Sequence, residues 1–95
     1  MAEVETRTAK HVDYLLKLLS DAWSDLPRVE QVIDGWDLVE QIDYVEEWGA
    51  KESLADVLRA YQARGEMTEN QVAHLRALER LMERNRPILE RLRAS

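Results

Sequence analysis

The chain has 95 residues and a formal net charge of −6; 45% of its residues are hydrophobic, 34% are charged, and none is cysteine. This length and composition predict one globular domain, residues 1–95, and exclude disulfide bonds, thiol nucleophiles and cysteine-based zinc sites. No apolar run approaches the roughly 20 residues of a membrane-spanning helix, and the first residues lack the pattern of a secretory signal. A cytoplasmic protein is therefore expected.

Charge is divided unevenly along the chain. Residues 1–56 contain 5 basic and 14 acidic side chains, a net charge of −9, whereas residues 57–95 contain 8 basic and 5 acidic side chains, a net charge of +3. The acidic part repels phosphate groups, which argues against non-specific binding of nucleic acid. The arginine-rich part is available to an anionic partner, which includes the acidic part of a second copy.

The first predicted helix runs from about Thr8 to Leu26, and residues 1–7 are predicted to be disordered or frayed. Its apolar side chains recur at helical spacing, at Val12, Leu15, Leu16, Leu19, Trp23 and Leu26. Pro27 is predicted to end this helix, because the residue before a proline is driven out of the α-helical region. The same proline then suits the first turn of a short second helix with the sequence PRVEQVI.

A third helix is predicted over about Gly35 to Trp48. Asp34 is the expected N-cap residue, and Asp37, three positions later, is placed as the partner in a capping box. Gly49 is the expected stop, since glycine readily takes the left-handed conformation that ends many helices.

Ser53 marks the predicted start of a fourth helix, which Gly65 ends. Thr68 and Gln71 then form a capping box, in which each side chain accepts a hydrogen bond from the backbone N–H of the other residue. This is the clearest helix start in the sequence, and it predicts a last helix from Glu69 towards Leu92.

The last helix carries a heptad-like seam with one polar member, at Leu75, Leu78, Met82, Asn85, Leu89 and Leu92. Pro87 lies inside this helix and removes one backbone hydrogen bond, so a kink or a short break is expected there. The predicted fold is therefore all-α: a compact bundle of four to five short helices with a longer, Pro-kinked C-terminal helix.

The third helix is rich in carboxylates, and a helical wheel separates them from its apolar side chains. The side chains expected to face the interior are Leu38, Ile42 and Val45, flanked by Val39 and Trp48. Those expected to face solvent are Glu40, Asp43 and Glu47. We interpret this charge as a solvated helix surface; the alternative is an acidic docking face for a basic partner, formed by Glu40, Asp43, Glu47 and Trp48.

Neither a metal site nor a catalytic centre is predicted. Bundles that bind two metal ions place a glutamate three residues before each histidine ligand, but Thr8 and Gln71 occupy these positions before His11 and His74. The serines have no base and orienting group at a recognisable spacing, and no glycine-rich phosphate loop occurs. His74 is interpreted as a half-buried structural residue, and no cofactor or small-molecule ligand is inferred.

The apolar sides of the first and last helices are wider than a small bundle requires, which predicts a contact with another protein chain. We expect a non-catalytic interaction module that binds another protein or forms a homodimer, packed through the last helix alone or together with the first. The residues predicted to form this interface are Leu78, Leu81, Asn85, Ile88 and Leu92. The alternative is a small regulatory protein that binds nucleic acid through an arginine ridge on the last helix, at Arg76, Arg80, Arg84 and Arg91.

Overall fold

Three long helices form the fold of residues 2–94, the part of the chain that the computed structural model describes; side chains are described for residues 7–94. The helices are α1 at Ala2–Val32, α2 at Leu38–Ala63 and α3 at Glu69–Ala94, with a 3-10 turn at Ile33–Gly35. The all-α class is confirmed, and no strand occurs in this part of the chain. The predicted count of four to five helices is wrong, because two predicted breaks do not occur.

α1 is longer than predicted at both ends. It begins at Ala2 rather than near Thr8, and it continues beyond Pro27. The side chains of residues 1–6 lie outside the described part, so fraying of residues 1–7 stays a prediction. The six apolar residues predicted to face inward from the first helix are all buried, which confirms that side of the helix.

The predicted helix break at Pro27 is wrong, because a side chain from α3 replaces the hydrogen bond that proline cannot make. In a continuous helix the N–H of residue 27 would donate to the carbonyl oxygen of Trp23, but proline has no N–H. The Nδ2 group of Asn85 donates to that oxygen instead, at 2.8 Å. Asn85 is only 6% exposed. The polar member of the α3 seam therefore completes the hydrogen bonding of α1.

α2 passes through Gly49 without a break, so the predicted stop at Gly49 and the predicted start at Ser53 are both wrong. The hydroxyl of Ser53 donates to the carbonyl oxygen of Gly49 at 3.1 Å, one turn earlier in the same helix. The apolar side of α2 is continuous across the glycine, since Trp48, Ala55 and Leu58 are all buried. Burial on both sides offsets the roughly 1 kcal/mol that a glycine costs inside a helix.

The start of α2 lies later in the chain than predicted. Asp37 is the N-cap, because its carboxylate accepts a hydrogen bond from the N–H of Glu40 at 3.2 Å. The predicted cap, Asp34, lies in the 3-10 turn instead. The side chain of Gln41 donates to the carbonyl oxygen of Trp36 at 2.9 Å, which ties this turn to the helix that follows.

The connection between α2 and α3 has the predicted chemistry. Gly65 has a φ of +71°, and α2 ends there in a Schellman motif: the N–H groups of Gly65 and of the next residue donate to the carbonyl oxygens of Gln62 and Tyr61. The predicted capping box then begins α3. The Gln71 N–H donates to the Thr68 hydroxyl at 3.1 Å, and the Thr68 N–H donates to the Gln71 side chain at 3.0 Å.

α3 is fixed against α1 near its first turn. The Nε2 group of Gln71 donates to the carbonyl oxygen of Ala9 at 3.1 Å and to the carboxylate of Asp13 at 2.9 Å. Further along, α3 continues through Pro87 to Ala94, so a break at this proline does not occur.

α1 is the central element, since α2 and α3 both pack against it and touch each other more sparsely. Trp23 of α1 and Trp48 of α2 meet edge-to-face in the core, with 4.8 Å between ring centroids. The molecule measures 49 × 23 × 17 Å, and its Cα radius of gyration is 15.2 Å, against about 12 Å for a compact domain of this length. The fold is therefore elongated, with an open side between α2 and α3.

Candidate protein-binding groove

Exposed apolar side chains cluster where α1 ends and α2 begins. Leu38 is 68% exposed, Val39 is 66% exposed and Ile42 is 46% exposed. Val32, at the end of α1, is 40% exposed. Exposed apolar side chains of this kind mark contact sites in proteins, since their exposure to water costs free energy in proportion to its area.

Part of this cluster lines a groove of about 300 Å³ between the first turns of α2 and the end of α3. Leu38, Ile42 and Val45 lie four and then three residues apart, so they share one side of α2. Ile33 of the 3-10 turn and Leu92 of α3 complete the apolar lining. An apolar trough between helices is a surface that receives an amphipathic helix.

The prediction that Leu38, Ile42 and the flanking Val39 face the interior is wrong. The helical wheel correctly groups them with Val45 and Trp48, and Trp48 is fully buried. However, the described part of the chain contains three helices, and the side that a fourth helix would cover is open at the first turns of α2. Since Trp48 is in the core, it does not belong to the predicted acidic docking face.

Two carboxylates, those of Asp34 and Glu46, line the groove. Glu40, Asp43 and Glu47 lie on the other side of α2. They are exposed, which confirms that they face solvent. The use of these three residues in docking stays a prediction.

Little of this negative charge is neutralised by neighbouring cations. Glu47 pairs with Lys51 at 3.8 Å. No ion pair with a described residue is made by Asp34, Asp37, Glu40, Asp43 and Glu46. The guanidinium of Arg93 lies in the lining of the groove, but Glu52 binds it at 2.9 Å. The groove therefore combines an apolar floor with a negative rim.

A row of aromatic rings holds the acidic half of α2 against the core. Trp36, Tyr44, Trp48 and Trp23 meet edge-to-face in that order, with centroid distances of 5.6, 6.3 and 4.8 Å. Pairs in this geometry contribute about 0.5–1.5 kcal/mol beyond their burial. Burial also raises the pKa of the Tyr44 phenol above its usual value. The helix that carries the groove is thus anchored from its inner side.

The residues predicted for a dimer interface on α3 are partly engaged within the chain. Leu78 is 1% exposed, and Asn85 is bonded to α1. Leu81, Ile88 and Leu92 are half-buried at the edge of the core, and Leu92 also lines the groove. Dimerisation itself stays a prediction, with these three residues as its remaining accessible members.

The arginine ridge of α3 is shorter than predicted. Arg76, Arg80 and Arg84 are exposed and make no ion pair with a described residue. Arg91 is different, because its guanidinium pairs with Glu30 of α1 at 2.7 Å. Three arginines one turn apart therefore form the accessible part of the ridge.

The fold brings together a serine and a histidine that the sequence did not connect. Ser20 Oγ of α1 lies 3.2 Å from His74 Nε2 of α3, although 54 residues separate them. His74 is exposed rather than half-buried as predicted. Both residues lie mid-helix, where backbone N–H groups are committed to the helix, so the pair has no neighbouring amides to stabilise an oxyanion. The contact joins two helices, as does the 2.8 Å contact of His11 with Tyr61.

The described residues contain no group of three or more His, Cys, Asp or Glu side chains that is placed to hold a metal ion. None of the described helices has the length and apolar character to cross a membrane.

Comparison of the chain with protein-family models, curated proteins and solved structures finds no match.

Proposed function

We propose that the protein is a non-catalytic interaction module that holds a partner in the groove between α2 and the end of α3. The observation that carries this proposal is the apolar row of Leu38 and Ile42, which are both exposed and line the groove. Burial of one such side chain is worth about 1.5–3 kcal/mol. A partner that covers the row gains this free energy, which the isolated domain does not.

The setting of the groove also supports binding. Its floor lies on two helices and one short turn, and the aromatic row fixes the acidic half of α2 against α1. A surface that is ordered before the partner arrives loses little conformational entropy on binding, so more of the contact energy appears as affinity.

A set of amphipathic helical peptides tests this proposal. Basic, neutral and acidic peptides with the same leucine positions are titrated against the protein, and heteronuclear NMR locates the contact. We expect at least one class to bind and to shift the signals of Leu38 and Ile42. Ile42→Asp should remove this binding, whereas Val57→Asp, on the same helix outside the groove, should retain it. Failure of every peptide to bind, together with a monomeric mass, would contradict the proposal.

Self-association is a form of the same activity. The half-buried residues Leu81, Ile88 and Leu92 support it, because they lie at the edge of the core, where a second copy has access. Light scattering should then give a doubled mass that Leu81→Asp returns to the monomer value. An identical monomeric mass for both proteins would exclude this form.

Nucleic-acid binding is the second candidate, and the three exposed arginines of α3 support it. Arg76, Arg80 and Arg84 present positive charge that no described carboxylate neutralises. Fluorescence anisotropy with duplex DNA and with RNA should show an affinity that falls steeply with salt. The charge reversal Arg80→Glu should weaken it further, and no binding at low salt would exclude this function.

A further inference from the structure

We infer that the occupant of the groove is an amphipathic helix with a basic polar side, contributed by a different protein. This inference rests on the proposed function and adds the chemistry of the partner to it. Three observations lead to it. Two concern the groove, namely the spacing of its apolar residues and its unpaired negative charge. The third concerns the exposed surfaces that a second copy would offer to the groove.

The spacing of the apolar residues matches a helix. Leu38, Ile42 and Val45 form one apolar row along α2, and Leu92 of α3 and Ile33 face it. A partner helix fills such a trough with apolar side chains at positions i, i+4 and i+7, and its other side stays in water. The short axial length of the row requires a contact of two to three turns.

The charge of the groove selects a basic partner. Asp34 and Glu46 line it and are not paired with a described cation, while Arg93, also in the lining, is paired with Glu52. The sequence has no Lys or Arg between Arg28 and Lys51. Lysine and arginine side chains at the edge of a partner helix would meet these carboxylates, which increases the association rate and excludes acidic helices.

A second copy of the chain fits the groove poorly. If two α2 helices packed through Leu38 and Ile42, the same carboxylates would meet in pairs, and like charges in contact oppose association. The exposed side of α3 is basic, but between Arg76 and Arg80 it presents Ala77, which is too short to fill the trough. The exposed arginine ridge of α3 therefore carries the charge that the groove requires without the long apolar side chains.

The experiment uses synthetic helical peptides of about 18 residues, long enough for helix formation on binding. The basic peptide carries leucine at the anchor positions and lysine or arginine elsewhere. Its two twins keep the leucines and replace every cation by glutamine or by glutamate. Isothermal titration calorimetry with the full chain should give the basic peptide about a tenfold or greater advantage over the glutamate twin, reduced by added salt.

Variants of the protein test whether the higher affinity for the basic peptide arises in the groove. Ile42→Asp should weaken the basic peptide by about tenfold or more, while Val57→Asp should leave its affinity unchanged. Glu46→Lys should lower the affinity for the basic peptide and raise the affinity for the glutamate twin. Glu83→Lys, an equal charge change on α3 outside the groove, should leave both affinities unchanged. Circular dichroism of each variant verifies that it folds.

The possible outcomes separate the partner chemistry from the proposed function. Tighter binding of the basic peptide, with the expected response to both groove variants, supports the inference. Equal or tighter binding of the glutamine or glutamate twin overturns it but leaves an interaction module. A doubled solution mass, with Leu38 and Ile42 buried in the dimer, also overturns it, because the occupant of the groove is then a second copy. Absence of any binding with a monomeric mass overturns both.

Discussion

The two halves of α2 carry apolar side chains at similar helical spacing but lie in different surroundings. In the second half, Ala55 and Leu58 are buried against the core, and the helix ends in a well-formed Schellman motif. In the first half, Leu38 is 68% exposed and Ile42 is 46% exposed. Spacing determines which side of a helix is apolar, while the number of neighbouring helices determines whether that side is covered.

Matched leucine substitutions at the two ends of α2 test this contrast most strongly. Leu58→Ala should lower the free energy of unfolding by about 2–5 kcal/mol, because it removes buried methyl groups and leaves a cavity. Leu38→Ala should change it by no more than about 0.5 kcal/mol, since most of that side chain is already in water. Urea denaturation of both variants gives the two values.

Equal costs at the two positions would contradict the contrast. They would mean that Leu38 is covered in solution, by a second copy or by a part of the chain outside the described residues. A dependence of the Leu38→Ala cost on protein concentration would identify the second copy.

The next largest effect on stability is expected at Asn85, in the well-packed part of the molecule. Asn85→Leu keeps the approximate size of the side chain but removes the donor to the Trp23 carbonyl oxygen. A buried carbonyl left without a donor costs about 1–3 kcal/mol. Chemical denaturation should show a loss of stability in this range.

A double-mutant cycle with Pro27 shows whether this loss comes from the hydrogen bond. Pro27→Ala restores an N–H that can donate to the Trp23 carbonyl oxygen, so Asn85→Leu should cost less in that background. The same cost in both backgrounds would mean that Asn85 acts through packing alone.

Contacts between distant residues explain why the continuity of α1 and α2 was not predictable from local sequence. A proline costs about 3 kcal/mol inside a helix, which justifies a break at Pro27 unless something offsets it. The offset comes from Asn85, which is 62 residues distant in sequence. At Gly49 the offset is the burial of Trp48 and Leu58 on either side. Local rules succeeded where the contacts are local, as in the capping box of Thr68 and Gln71.

The same distinction between local and long-range contacts applies to the predictions for the candidate site. The helical wheel correctly separated Glu40, Asp43 and Glu47 from Leu38 and Ile42, because this separation depends only on helix geometry. It did not predict that the apolar side is open, since coverage depends on the arrangement of whole helices. The contact of Ser20 with His74 had no sequence signal for the same reason.

The N-caps of α3 and α2 allow the same comparison between a well-packed and an open region, with a smaller expected effect on stability. Thr68→Ala should cost about 1 kcal/mol, because it removes the acceptor for the Gln71 N–H and loosens the side chain that holds α3 against α1. Asp37→Ala, at the cap in the open region, should cost less, since its hydrogen bond of 3.2 Å is exposed and supports no contact between helices. Thermal unfolding of both variants measures the difference, and a larger cost at Asp37 would contradict this ranking.

The smallest predicted effect has the opposite sign and lies between the two halves of α2. Gly49 has a helical conformation, and a Cβ atom added there meets nothing within 4 Å. Gly49→Ala should therefore stabilise the protein by about 0.5–1 kcal/mol, because alanine loses less backbone entropy on folding. The same change at Gly65, where φ is +71°, should destabilise it, since a side chain is strained in that conformation. If Gly49→Ala is destabilising instead, then α2 bends or opens at this glycine in solution, and its two halves are separate units.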